Sequence, residues 1–198
     1  MKRYELINWL IQNYGYKSYL EIGIDNPSNC HHKIHLPPEC KTGVDPFKGH
    51  MNPPTFYALT SDDFFEQNDR TFDIVFVDGL HLGDQMARDV RNSLAVLNEN
   101  GTIVCHDCNP YNSRLGGSER IPGHSWYGTV WKGWAELRST EPDLYMRVIL
   151  EDCGMGVIRR GSQKLYTGPY GTWQEWFEKR NEIQLPIDAG KLQAELST

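Results

Sequence analysis

Short apolar runs alternate with stretches of helical spacing along the chain, the pattern of an α/β sheet whose strands are buried on both faces. The clearest instance lies between residues 72 and 107. Phe72-Asp73-Ile74-Val75-Phe76-Val77 leads into Asp78-Gly79-Leu80-His81, and Gly101-Thr102-Ile103-Val104-Cys105 leads into His106-Asp107. Between them, Gly83 to Asn98 carries Met86, Val90, Leu94 and Leu97 at helical spacing, with Asp84 four residues before Arg88 on the polar side. The spacing predicts strand, helix, strand. Such a crossover is right-handed and brings both strand exits to one edge, so Asp78, His81, His106 and Asp107 are expected to line one crevice.

The rest of the pattern extends this unit. Ile7, Leu10, Ile11 and Tyr14 form an amphipathic helix that should close at Gly15, and Ser18 to Gly23 reads as the first buried strand. Asp25-Asn26-Pro27-Ser28 supplies cap and first-turn residues for a short helix. A second strand, Thr42 to Asp45, is stopped by Pro46, and Pro46 to Pro54 reads as a loop. Phe56 to Thr60 is expected as a third strand at an edge, followed by a helix capped by Ser61 or Asp62 ahead of Phe64-Phe65. Residues 108–127 form a long loop, of the kind that is either functional or mobile. Gly128 to Arg138 is helical, with Val130, Trp134 and Leu137 on one side, and Leu144–Glu151 with Met155–Arg160 forms an antiparallel hairpin. Trp173, Trp176 and Phe177 then predict a helix that packs the tail onto the domain. At 198 residues the chain suits one domain: an N-terminal helix (1–16), a core (17–160) and a C-terminal extension (161–198).

Composition narrows the functional classes. A net charge of -6, with Lys41, Lys48, Arg159, Arg160 and Lys164 scattered, argues against a nucleic-acid surface. No run reaches the ~18 apolar residues of a membrane span, and the amphipathic start is unlike a signal peptide, so a cytoplasmic protein is expected. Five cysteines fit reduced thiols. Cys105-His106-Asp107-Cys108 closes a strand, whereas redox pairs open a helix, so packing is the better account of its thiols. Cys30, His31, His32, His35 and Cys40 lack a second tight ligand pair and read as solvated helix residues rather than a zinc site.

Candidate chemistry gathers at the strand ends. Glu21-x-Gly23 after one strand and Asp45 at the end of the next have the mechanics of a nucleoside-cofactor site: the glycine admits a ligand to the backbone, and the acid about twenty residues on accepts from ribose hydroxyls. Asp25 and Pro27 stand where further glycines would cradle a pyrophosphate, which disfavours a dinucleotide and leaves a cofactor without phosphates. His106 and His81 are suited to take a proton near neutral pH, and Asp107 to orient a histidine, bind an acceptor or hold a cation. In the long loop, Trp126 and Tyr127 are candidates to stack on a substrate, with His124 a lesser one; Trp134 reads as core.

Taken together, Tyr19-Leu20-Glu21-Ile22-Gly23, Gly43-Val44-Asp45-Pro46, Ser61-Asp62-Asp63-Phe64-Phe65, the Phe72–His81 block, His106-Asp107-Cys108-Asn109-Pro110 and Gly128-Thr129-Val130-Trp131-Lys132 resemble, in order, the signatures of class I S-adenosylmethionine-dependent methyltransferases. The resemblance covers residues 17–160 and is nearest to a small methyltransferase-domain group related to bacterial O-methyltransferases. It implies a Rossmann-like open α/β sheet of seven strands in order 3-2-1-4-5-7-6, the last strand antiparallel, with helices on both faces. It implies S-adenosylmethionine as cofactor and a small-molecule or sugar hydroxyl as acceptor. By position, Glu21 and Gly23 would meet the methionine part of the cofactor, Asp45 the ribose, Ser61 and Asp62 the adenine, and Asp78 and His81 the amino acid moiety or methyl group. Metal-dependent relatives hold magnesium with carboxylates at the fourth and fifth strand ends plus an asparagine after the second. Asp78 and Asp107 match the carboxylates and are the candidate metal ligands; Cys108 stands at the amide position, with Asn109 one step late. The rival readings are an NAD(P)-dependent oxidoreductase on a similar sheet and a non-catalytic nucleoside-binding module. A homo-oligomer is compatible with the sequence, and neither nucleic acid nor membrane is an expected partner.

Overall fold

The computed structural model describes residues 1–47 and 56–196. The elements run α1 (Arg3–Tyr14), β1 (Tyr19–Ile22), β2 (Lys41–Val44), β3 (Phe56–Tyr57), α2 (Ser61–Gln67), β4 (Phe72–Val77), α3 (Gly83–Val96), β5 (Leu97–Cys105), α4 (Val130–Thr140), β6 (Leu144–Ile149), β7 (Met155–Arg160), α5 (Trp173–Gln184) and α6 (Ala189–Leu196). The seven strands form one sheet in the order β3-β2-β1-β4-β5-β7-β6. β3, β2, β1, β4 and β5 pair in parallel, while β7 runs antiparallel to both β5 and β6. This is the expected Rossmann-like order.

Alternation along β4 explains the layering. Val75 and Val77 join an apolar layer with Met86 and Val90 of α3, Trp134 of α4 and Trp176 of α5. Ile74 and Phe76 face the other layer, with Leu6 and Leu10 of α1 and Leu192 of α6. Side chains of a strand point to opposite faces in turn, so a strand with both parities apolar must be covered twice. Beyond residue 160, the tail is tied down by Arg138, whose Nε donates to the Ile183 carbonyl (3.0 Å), and by the Trp134 indole on the same carbonyl (3.2 Å).

Several local expectations are corrected. The residues Asp25–Ser28 do not open a helix: the Asn26 carboxamide accepts from the Ser28 amide (3.0 Å), an Asx turn, and only a single turn of 3-10 helix follows at His31–Lys33. The cap of α2 is Thr60, one residue earlier than expected, because its extended backbone lets Oγ1 accept from the Asp63 amide (3.2 Å). Of the loop read from Pro46 to Pro54, residues 48–54 lie outside the described residues, as does Lys48. The loop at 108–127 carries no helix or strand, and indole N–H groups of Trp126 and Trp131 bind the carbonyls of Gly117 (2.7 Å) and Gly116 (2.9 Å). Helix α6, with Leu192 as its buried residue, was not expected from so sparse an apolar pattern.

Candidate active site

The crevice opens where β1, β4 and β5 end, and encloses ≈ 590 Å³ of space, part of it open to solvent. Glu21 forms its floor. This carboxylate is 3 % exposed, accepts from the Tyr19 hydroxyl (2.8 Å) and meets His31 Nδ1 at 2.8 Å. Burial pushes its pKa up, against the opposing pull of His31 and Tyr19. The Lys41 ammonium, whose pKa burial lowers, holds the His31 turn by donating to the carbonyls of His31 (3.1 Å) and Ile34 (3.4 Å). His31 is therefore a buried partner of Glu21, not the solvated helix residue expected. Only the fold-back of residues 26–34 onto β1 brings the two together.

Gly23 lines the crevice, and its backbone alone requires a glycine there. Its φ is +88°, and a Cβ would run into the carbonyl of Asp78 and the Cα of Gly79. The missing side chain lets the β1 exit pass the β4 exit. Asp45, 8 % exposed, uses Oδ2 to accept from the Ile24 amide (2.7 Å) and Oδ1 from the Phe47 amide (2.8 Å), so it pins the loop after β1. Ser61 and Asp62 lie against α3: Gln85 Nε2 reaches Ser61 Oγ (3.1 Å) and Asp62 Oδ1 (3.2 Å), and Arg88 Nε donates to Asp62 (3.0 Å). Asp45, Ser61 and Asp62 do not line the crevice that holds Glu21, Gly23, Asp78 and His81.

At the β4 and β5 exits the four residues predicted to converge do so. His106 Nδ1 lies 3.3 Å from both Asp78 Oδ1 and Asp107 Oδ1, and His81 presents Nε2 to Asp78 (3.4 Å) and Nδ1 to Asp107 (3.2 Å). These separations exceed those of a tight charge-assisted hydrogen bond, about 2.7–2.9 Å. Burial alone would push the Asp78 carboxyl up; His106 and then His81 hold it well below the usual carboxylate range. Burial would likewise lower both imidazoles, but Asp78 and Asp107 raise His106 well above its ordinary value and raise His81 as well. Asp107 adopts φ +58°, a left-handed conformation that Asp tolerates better than most residues.

The chain after the long loop fixes His81. Its carbonyl accepts from the Thr129 amide (2.9 Å), its Nδ1 meets the Trp126 carbonyl (3.1 Å), and the Trp126 indole stacks on its ring at 5.3 Å and 22°. Trp126 thus borders the crevice through His81. Tyr127 stands farther out, beside Tyr111, and burial raises its pKa.

Arg3 is the site residue that sequence reading missed. Its backbone amide donates to Asp152 Oδ2 (2.9 Å), and its guanidinium Nη1 reaches Asp152 (3.5 Å) and His106 Nε2. Asp152 belongs to the β6–β7 turn, where Asp152, Cys153 and Gly154 all take positive φ. No local signal links the first turn of α1 to that hairpin.

Asp78, His81 and Asp107 each place a donor atom within 4.8 Å of the others, a set compatible with one divalent cation. The contact of His81 Nδ1 with a backbone carbonyl is the outer bond usual for metal-binding histidines. Neither residue weighed for the amide position shares the cluster. The Cys108 thiol is buried beside the carbonyls of Cys105 and His106, and Asn109 turns to Leu150 and Gln184.

Residues 27–108 match the family model described as a methyltransferase domain, in agreement with the resemblance carried by the sequence blocks. No curated protein matches the chain. Among solved structures, the fold is similar to that of the S-adenosylhomocysteine-bound methyltransferase of Podospora anserina (16% identity, 79% of this chain and 76% of that one, TM-score 0.55). It is similar also to the O-methyltransferase TomG of Streptomyces achromogenes in complex with S-adenosylmethionine (17%, 80% and 79%, TM-score 0.56). A third likeness is to a sugar N-methyltransferase of a Streptoalloteichus species (14%, 80% and 86%, TM-score 0.57). At these identities the likeness establishes the fold. No helix among the described residues is long and apolar enough to cross a membrane.

Proposed function

We propose that this chain is an S-adenosylmethionine-dependent methyltransferase acting on an oxygen of a small molecule or sugar. The observation that carries the reading is the acidity of the crevice, where Glu21, Asp25, Asp78 and Asp107 face the guanidinium of Arg3 and the imidazoles of His81 and His106. A sulfonium and an α-ammonium suit that lining. The pyrophosphate of a nicotinamide dinucleotide would instead meet carboxylates and no glycine-lined helix N-terminus.

S-adenosylmethionine supplies a methyl carbon already activated by its sulfonium, which leaves alignment, proton removal and exclusion of water to the protein. Glu21, held by His31 and Tyr19, and Asp78 would attract the positive end of the donor, and Asp45 keeps the loop after β1 in place while retaining lone pairs for ribose hydroxyls. Ser61 and Asp62, at the start of α2, are the groups for adenine. The indole of Trp126 walls the acceptor side, and Tyr127 extends it. His106 and His81 are the groups able to take a hydroxyl proton, with Asp107 orienting both rings. Because both pKa values are raised, their neutral forms grow toward alkaline pH, and so does the capacity for this step. Alternatively, Asp78, His81 and Asp107 would hold a divalent cation, whose charge would lower the pKa of a bound hydroxyl and leave the proton to His106.

Calorimetric titration with S-adenosylhomocysteine and with NAD tests the reading. Saturable binding of the first, weakened by Asp78→Asn, is expected, with no binding of the second. Binding of NAD alone would overturn it in favour of the oxidoreductase.

A further inference from the structure

The crevice contains one permanently positive group among the described residues, and its partners leave it incompletely used. Arg3 spends its backbone amide and Nη1 on Asp152 and His106, while Nε and Nη2 make no hydrogen bond among the described residues. The guanidinium side chain is 20% exposed, so water reaches it only in part. It is held there from two directions. The first turn of α1 is fastened to the β6–β7 turn by Arg3 N–H and by Lys2 Nζ, both on the Asp152 carboxylate (2.9 and 3.1 Å), and the positive φ values of that turn aim the carboxylate back at α1.

From this placement we infer that Arg3 is the anchor for the α-carboxylate of the methyl donor, an inference that rests on the methyltransferase reading above. The donor's amino-acid end carries an ammonium and a carboxylate together. The carboxylates of the lining, Glu21, Asp25, Asp78 and Asp107, suit the ammonium and repel the carboxylate, and the two imidazoles, His81 and His106, are already engaged by Asp78 and Asp107. A planar guanidinium with two free N–H-bearing nitrogens can meet a carboxylate with two parallel hydrogen bonds, which a lysine there could not do. Arg3 also stands beside His106, so the contact would fix the donor's amino-acid end next to that imidazole.

The test compares three ligands by calorimetry on the full chain: S-adenosylhomocysteine, its decarboxylated analogue, and methylthioadenosine, which lacks the amino-acid end altogether. The wild-type protein is expected to prefer S-adenosylhomocysteine to the decarboxylated analogue by about tenfold or more. In Arg3→Gln that preference should fall to near one, with methylthioadenosine binding unchanged, which also verifies that the crevice is intact. The same preference in Arg3→Gln as in wild type would overturn the assignment and leave Arg3 to an acidic acceptor; equal weakening of all three ligands would reduce it to a structural role. Failure of the wild-type protein to bind any of the three would instead sink the methyltransferase reading itself.

Discussion

Asp73 and Asp78 stand at opposite ends of β4, and the contrast between them separates a group that builds the fold from one set in the candidate site. At the amino end, the Asp73 carboxylate accepts from the amides of Lys17 (2.7 Å) and Ser18 (3.0 Å), the Ser18 hydroxyl (3.1 Å) and the Asn98 carboxamide (2.6 Å). Burial would raise its pKa, and these neutral donors lower it. Asp78, at the carboxyl end, is lowered by histidines that themselves gain charge from it. One acid is saturated by neutral backbone and side-chain donors. The other belongs to a cluster of mutually dependent charges, set 3.2–3.4 Å apart around open space. On the function proposed above, stability sits at the first end and reactivity at the second.

The sharpest way to break this contrast is to exchange the effects. Asp78→Asn should lower methyl transfer by about a hundredfold or more, through donor binding and histidine charge, while thermal unfolding of the unliganded protein shifts little or upward. A large loss of stability instead would make Asp78 another Asp73. Gly23→Ala, which forces a Cβ into the Asp78 backbone at φ +88°, should cost about 2–4 kcal/mol in denaturant unfolding and weaken S-adenosylhomocysteine binding with it. Asp73→Ala should cost about 2 kcal/mol in the same assay and leave kcat unchanged in protein kept folded. The smallest effect concerns pH. A carboxylate whose folded pKa is depressed contributes stability above its unfolded value, near ~3.9, and loses it as pH falls through the folded value. The stability difference between wild type and Asp73→Asn should therefore shrink below about pH 4, and a difference that grows there would refute the assignment.

The sequence made the β4 and β5 exits readable because each apolar run must stop where its strand leaves the sheet, and polar side chains at the stop have one edge to occupy. The same logic placed the hairpin at 144–160 and the tail helix, whose Trp176 is buried among other indoles. What stayed hidden depends on distant segments meeting. Arg3 reaches the crevice only because α1 docks on the β6–β7 turn, and His31 reaches Glu21 only because an Asx turn replaces the expected helix. Gly23 was singled out for the approach of a ligand, and the close neighbour that spacing did not reveal is the Asp78–Gly79 backbone. Asp45, Ser61 and Asp62 were legible as polar groups at strand and helix ends, yet their present partners are Ile24, Phe47, Gln85 and Arg88, which spacing alone does not reveal.

Hydrogen exchange with and without S-adenosylhomocysteine tests the division between the two ends of β4 most directly. Slowed exchange is expected at residues 22–31, 78–82 and 106–109, with residues 16–18 and 71–73 unchanged. Protection absent from those exits, or confined to the separate groove between Tyr111 and Phe177, would contradict the account.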